Sequence, residues 1–419
     1  MSTIKKIKGF SDLFPPLSDI YSCMEQTARA VFTRYGYYEV RVPLLEKTEL
    51  FSRSIGDETD VVQKEMYTFA DRKGRSITLR PEATASVLRA YIENNRYANE
   101  AVSKMFTFGP MFRYERPQKG RQRQFHQINC EMLGAEAPQA DAELILMLWR
   151  FLSELELSGL HLDLNSLGCR ECRPAYHEVL STYLAGVDSA HLCEDCQRRM
   201  TTNPLRVLDC KLPACQQVLE EAPRLADHVC PACQAHFASV RRILDRAEVP
   251  YSINPRLVRG LDYYQRTTFE VVAANIGAQT AVAGGGRYDG LVSDLGGPAV
   301  PGTGFACGME RLALLLQEQS RPATGTDFFL AVLDEAASDE AILLGQTLRH
   351  AGLRGEVSYT AKTAKSQLRQ ANKVGAAWCL LLGSRELHEK TIVLKDMQTG
   401  EQRTVAWEEL PQAVTGEAS

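Results

Sequence analysis

Apolar residues recur roughly four apart from about Ser18, at Ile20, Met24, Ala28 and Val31, the spacing of a helix with one buried stripe. The next segment, YYEVRVP, is rich in β-formers and predicts a strand that stops at Pro43, because proline gives no N–H to a ladder. Further strand-like runs follow at SITLRP, KMFTFGPMFRYE, FHQINCEML, TTFEVVAA and GTGFACG, separated by turns rather than by regularly spaced helices. That spacing predicts an α+β domain over residues 1–322, built on an antiparallel sheet with flanking helices. From about 170 to 245 the pattern gives way to helical, cysteine-laden sequence, which reads as an insertion. The tail changes period again: strand FFLAVLD, a helix through Leu348, strand EVSYT, a helix around KSQLRQANK, then AWCLLLG, TIVLKD and RTVAWEE. Alternation of that kind predicts a small α/β domain with a mixed sheet over 326–419, joined through a linker at residues 320 to 327.

Length and composition agree with this division. A chain of 419 residues is too long for one ordinary core, and 44% hydrophobic with 24% charged residues is the balance of a globular protein. No apolar run approaches the roughly 20 residues of a membrane span, and the opening MSTIKKIKGFSDLFPP lacks a signal-peptide core. A cytoplasmic protein without a membrane partner is expected.

The net charge of −4 announces no nucleic-acid partner, but its distribution does. Between Arg113 and His126 stand Arg113, Arg116, Lys119, Arg121 and Arg123 against Glu115 alone, and between His350 and Lys373 stand Arg354, Lys362, Lys365, Arg369 and Lys373 against Glu356. Either run by itself is what a solvated face looks like. The first has more structure: a strand ends at Arg113, a loop carries Pro117 and Gly120, and a second strand starts near Phe125. In such a hairpin Arg113, with Arg121 and Arg123 as further candidates, can grip phosphate through planar guanidinium groups. Phe125 can stack on a heterocyclic base, and Gln127 and Glu131, an even number of positions apart, share one face of the strand. Arg311 opens a helix after the glycine-punctuated GTGFACG, which suits either an anion contact or a buried capping arginine. In LVRGLDYYQRTTFE, Arg259 precedes Gly260, and Tyr263 and Tyr264 stand side by side. If both lay on a strand they would face opposite ways, so only one would enter a pocket.

Taken together, these segments resemble the histidyl-tRNA synthetases, a branch of the class II aminoacyl-tRNA synthetases, from Lys8 to the tail. YYEVRVP is similar to the first class II motif, which implies a homodimer; FRYERPQKGRQRQFHQINCEMLG is similar to the second and GTGFACGMERL to the third. LVRGLDYYQRTTFE and GGGRYDGL resemble the histidine-specific signatures, and TLRPEAT the amino-acid-binding loop. The resemblance implies ATP-dependent activation of L-histidine and its transfer to the 3′ end of histidine tRNA. It puts Arg259 and Arg113 on the reacting phosphate, Phe125 on adenine, Arg311 at the far end of ATP, and Mg²⁺ on the outer phosphates. Glu131 and Tyr264 would meet the imidazole, Tyr263 would complete the pocket, and Glu82, Thr84 and Gln127 would hold the α-amino group. Glu82 would also suit the start of a helix at PEATASVLRAYIE. The loop of Arg116, Gln118, Lys119 and Arg121 would meet the tRNA acceptor end, and the tail would bind the anticodon. A histidine-sensing regulatory paralogue is the alternative, but such proteins lack the tail and lose active-site arginines.

Eight of the twelve cysteines lie between Cys169 and Cys233, as Cys169/Cys172, Cys193/Cys196, Cys210/Cys215 and Cys230/Cys233. Pairs with this spacing suit a structural zinc ion, and they equally suit reduced, partly buried thiols. Sequence does not say which pairs would combine.

Overall fold

A computed structural model describes residues 3–56, 59–274, 280–318 and 325–415. The chain divides into two units, Met1–Ser320 and Arg321–Ser419; most of the stretch read as a linker lies outside the described residues.

In the first unit the stripe on α1 (Leu17–Arg34) is buried through Met24, Ala28, Val31 and Phe32. YYEVRVP forms only a two-residue strand, β1 (Tyr38–Glu39), shorter than its composition suggests, since Val40 to Pro43 run on outside any ladder. A small separate sheet follows, of β2 (Leu45–Lys47), β3 (Tyr67–Ala70) and β4 (Ser76–Leu79), with α2 (Thr48–Ile55) between its first two strands. SITLRP belongs to this small sheet and not to the main one. Then come α3 (Thr84–Glu93), α4 (Arg96–Asn99) and the long hairpin of β5 (Ser103–Phe112) and β6 (Gln124–Leu133), paired without slip from Ser103↔Leu133 to Phe112↔Gln124. Helix α5 (Pro138–Glu154) leads to β7 (Leu160–Ser166).

The cysteine-rich interval that follows holds α6 (Arg173–Ala185), α7 (Glu194–Thr202), α8 (Pro213–Val218) and α9 (Pro231–Arg246). The chain re-enters the sheet at β8 (Tyr251–Ile253), β9 (Gln265–Ala273) and β10 (Ala281–Arg287), then passes through α10 (Leu291–Asp294) to β11 (Gly302–Gly308) and α11 (Met309–Glu318). The eight strands are ordered β1-β5-β6-β11-β10-β9-β7-β8, antiparallel throughout the middle and parallel only at the two edges. The antiparallel sheet expected from the turn spacing is therefore present, enlarged by β7, β8 and β10, whose sequences did not announce them.

Phe32 of α1 meets Phe106, Phe151 and Phe305 at ring separations of 5.5, 5.5 and 5.9 Å, joining helix, sheet and α5 in one core. Truncating such a hub costs about 3–5 kcal/mol. Beside it Asp141 of α5, fully buried, accepts from Arg287 Nη2 of β10 at 2.7 Å and lies 2.7 Å from His236 Nε2 of α9. Each of these charges depends on its partner, because a lone charge there would be uncompensated.

The second unit contains β12 (Thr326–Val332), α12 (Ser338–His350), β13 (Gly355–Val357), α13 (Ala364–Lys373), β14 (Ala376–Leu382), α14 (Ser384–Glu389), β15 (Thr391–Asp396), β16 (Gln402–Ala406) and α15 (Leu410–Thr415). Its sheet runs β13-β12-β14-β15-β16; the first three strands are parallel and the last pairings antiparallel, the expected mixed sheet. On α13, Gln367 and Ala371 face inward, while Lys365, Arg369 and Lys373 are exposed.

Candidate active site

The first unit encloses a cleft of about 610 Å³ whose walls come from widely separated stretches of sequence. From the β5–β6 hairpin enter Arg113, Arg121, Phe125 and Gln127; from the start of α3, Glu82 and Thr84; from the turn before β9, Arg259, Tyr263 and Tyr264; from β9, Glu270; and from α11, Arg311. Polar residues at alternate positions of a packed strand aim at the same side, so β6 delivers Gln127, Asn129 and Glu131 as one stripe.

Each arginine is held in place. Arg113 donates from Nε to the Pro81 carbonyl at 2.9 Å, and its guanidinium carbon lies 5.5 Å from the centre of the Phe125 ring. Arg259 pairs with Glu270 at 2.7 Å and lies 5.6 Å from the Tyr264 ring centre, while its Nε is buried without a partner. Arg311 donates from Nη1 to the Ala281 carbonyl at 2.5 Å and from Nε to that of Gly120 at 3.3 Å. These bonds fix guanidinium groups without neutralising most of them, the arrangement a polyanion requires. Arg121, a candidate both for phosphate and for the acceptor-end loop, is drawn inward to an ion pair with Glu115 and lines the cleft. Arg123 does not reach the cleft wall and lies over the Tyr114 ring at 3.9 Å. Arg116, Gln118 and Lys119 are exposed, on a turn closed by reciprocal backbone bonds between Gln118 and Arg121 of 3.0 and 2.9 Å.

At the other end a polar cluster is buried. Glu82 accepts the backbone N–H groups of Thr84 and Ala85 at 2.7 and 2.9 Å, so it does cap α3, and it lines the cleft as well. Thr84 Oγ1 donates to Glu131 at 2.6 Å, and the Tyr288 hydroxyl donates to the other oxygen of that carboxylate. Burial pushes the Glu131 carboxyl up to about 8. Glu131 lies behind the cleft wall rather than on it. Gln127 presents a buried Oε1 with no partner. Tyr263 and Tyr264 meet with ring centres 4.5 Å apart and planes tilted by 46°, and both reach the cleft. They precede the first residue of β9, Gln265, so the alternation that would have separated them does not apply.

Sequence reasoning passed over Tyr288, Glu270 and Asn129. Asn129 was findable as the middle of the Gln127–Glu131 stripe. Glu270 and Tyr288 lie inside LVRGLDYYQRTTFE and GGGRYDGL with no role given to them: Glu270 stands opposite Gly284 and pairs with Arg259, and Tyr288, just past β10, reaches Glu131 of β6.

The family described as Histidyl-tRNA synthetase matches residues 9–312. The chain belongs to that family. A second family, described as Anticodon binding domain, matches residues 327–417. Among similar proteins, the histidine–tRNA ligase of Oleidesulfovibrio alaskensis is 62% identical over 415 residues, covering 99% of this chain and 100% of that protein. That of Nitratidesulfovibrio vulgaris is 64% identical over 405 residues, covering 97% of each. The structure of apo histidyl-tRNA synthetase from S. aureus superposes with a TM-score of 0.81 at 36% identity, covering 98% of this chain and all of the other.

Proposed function

We propose that the cleft joins L-histidine to ATP and that the chain then charges histidine tRNA, the activity that membership of the histidyl-tRNA synthetase family carries. A carboxylate oxygen of histidine attacks the α-phosphorus, the bond to the bridging oxygen breaks, and pyrophosphate leaves. The terminal ribose hydroxyl of the tRNA next attacks the carbonyl carbon, and AMP departs. Charge builds on the α-phosphate in the first step. Arg259 and Arg113 approach the cleft from different walls, and fixed donors aimed at developing charge lower a barrier most. Arg311 receives the far phosphates, and Phe125, already stacked on Arg113, presents a ring face to adenine.

Glu82 and the free Oε1 of Gln127 would take the ammonium of histidine, with Thr84 orienting the carboxylates between them. Tyr263, Tyr264 and, through Thr84 and Tyr288, Glu131 would frame the imidazole. A site built to satisfy both ring nitrogens rejects isosteres that strand its own polar groups. Glu115 and Glu310 line the cleft and offer the oxygen ligands that Mg²⁺ takes beside phosphates. Bound Mg²⁺ would screen the outer phosphates. Arg116, Gln118 and Lys119, exposed on their turn, would meet the acceptor end. We place the enzyme in the cytoplasm as a homodimer; no helix among the described residues is long and apolar enough to cross a membrane.

The observation that carries the reading is the convergence of Arg113, Arg259 and Arg311 on one cleft with Glu82 and Gln127. A regulatory paralogue would have no use for those arginines or for the anticodon-binding segment. Pyrophosphate exchange with a panel of amino acids tests the proposal: exchange should depend on histidine, and equal exchange with any other amino acid overturns it.

A further inference from the structure

The eight cysteines of the inserted helices do not scatter. Cys169, Cys172, Cys230 and Cys233 form one quartet and Cys193, Cys196, Cys210 and Cys215 another, with the four sulfurs of each within 4.8 Å of one another. Four thiolates bound tetrahedrally at about 2.3 Å from one ion stand about 3.8 Å apart. The separations are 3.4 Å for Cys169–Cys172, 3.9 Å for Cys172–Cys233 and 3.9 Å for Cys193–Cys210. Thiols packing only as small apolar groups have no reason to converge in fours, twice.

The two quartets share a local plan. Cys193 is the N-cap of α7 at φ −68°, ψ 160°, and Cys230 the N-cap of α9 at φ −66°, ψ 160°. The Cys193 N–H donates to the Cys215 sulfur at 3.2 Å and the Cys230 N–H to the Cys172 sulfur at 3.1 Å. Helix N-termini and N–H donors favour thiolate, the form that binds metal. We propose that each quartet binds one structural zinc ion, and that the inner ion, on Cys193, Cys196, Cys210 and Cys215, also holds one wall of the activation cleft.

The outer quartet joins the chain just past β7 to the start of α9 and closes the neck of the insertion. Beyond that neck Tyr176, Leu180, Leu208 and Leu219 belong to a core that continues into Val87, Leu88 and Tyr91 of α3, so an ion at the neck ties the inserted helices to the body they pack on. The inner quartet lies on the chain between. Cys193 and Cys210 themselves line the cleft. From Cys193 runs α7, whose Arg198 and Arg199 reach Asp60 at 3.0 and 2.7 Å, and just beyond it Asn203 donates to Asp262 at 3.0 Å. Asp262 lies three residues past Arg259, so an ion fixing the start of α7 fixes the support of the loop that carries Arg259. Tetrahedral sulfur ligation by four thiolates suits zinc, and sulfurs this close leave no room for the core of an iron–sulfur cluster.

This role for the inner site rests on reading the cleft as the histidine-activating site, so the test separates the two. Full-length protein made in zinc-supplemented medium and purified without chelator should contain two zinc ions per chain by elemental analysis, released when the thiols are blocked. Cys233→Ser and Cys196→Ser should each lose one. The Cys196→Ser protein should lose more histidine-dependent pyrophosphate exchange than Cys233→Ser, by up to about a hundredfold for a displaced catalytic loop. Zinc well below one per chain in the unsubstituted protein, with all eight thiols freely titratable, overturns both sites; iron in place of zinc overturns the metal. Exchange unchanged in Cys196→Ser with one zinc bound overturns the cleft-wall role. Zinc content is read without activity, so two zinc ions in a protein that fails to activate histidine would refute the function and leave the sites standing.

Discussion

Arg259 and Glu270 stand 2.7 Å apart, so the positive charge is already oriented before any phosphate arrives. Replacing Arg259 with alanine should leave histidine binding measurable by calorimetry and cut pyrophosphate exchange by about 10²–10³, the usual loss of one preorganised donor to a developing oxyanion. Near-normal exchange by a folded variant would sink the assignment. Glu131 yields a prediction in pH. Its carboxyl is raised to about 8 by burial, so the folded state holds a proton that the unfolded chain gives up near the ordinary carboxylate range. The stability this brings is full below that range and fades as pH rises through about 8. Thermal melting of the parent should therefore fall over that window, and Glu131→Gln, neutral throughout, should melt with a flatter pH dependence; parallel curves would show that Glu131 ionises normally. Much of this site was legible residue by residue. Gln127 and Glu131 share a face by parity, and TLRPEAT and LVRGLDYY carried the rest by resemblance. Tyr288 lies inside GGGRYDGL, but its part was not legible there, because the carboxylate it meets stands 157 positions away and the Tyr263 and Tyr264 rings it touches come from the turn before β9.

At the scale of elements, β10 explains why a strand can hide in sequence. AVAGGGR offers almost no β-prone side chains, yet its glycines are required by what lies against them. A Cβ on Gly285 would stand 2.1 Å from the Gly304 carbonyl oxygen of the neighbouring strand, which cannot retreat. A Cβ on Gly284 would stand 2.4 Å from Arg259 Nη1, the end of a side chain, which can shift at the expense of its ion pair with Glu270. The two substitutions should therefore fail differently. Gly285→Ala should lose about 1–3 kcal/mol in denaturant unfolding, the usual cost of overpacking. Gly284→Ala should lose less stability than Gly285→Ala and lose exchange by about tenfold or more as the Arg259 guanidinium is displaced. Equal loss of stability in both would mean that the strand and not Arg259 fills the space at Gly284. Among the other unannounced strands of the main sheet, β7 does alternate through Leu160, Leu162 and Leu164, but past Gly168 it leads directly into the helix-rich insertion, whose pattern masks it. The β5–β6 hairpin was legible for the opposite reason: two β-rich runs flank a loop punctuated by Pro117 and Gly120.

The chain divides into two units close to where the hydrophobic period changes, near Asp327. The second unit buries Phe328, Leu330, Val332, Leu380, Leu382 and Leu394 on one side of its sheet, and Phe329, Ala331 and Cys379 on the other. It thus owns its packing, and α13 leaves Lys365, Arg369 and Lys373 in solvent, where phosphate can reach them. A chain ended at Ser320 should keep all the residues of the activation cleft and exchange pyrophosphate at close to the full rate. Its charging of tRNA should fall, because base readout of single-stranded anticodon nucleotides and part of the phosphate contact would be gone. Salt gives the sharper measurement. If the tail contributes cationic contacts, log affinity for tRNA should fall with log salt more steeply for the full chain than for the truncated one, by about 0.7–0.9 in slope for each phosphate neutralised. Parallel slopes, or a truncated enzyme that charges tRNA as fast as the parent, would show that the basic face of the second unit serves something other than tRNA.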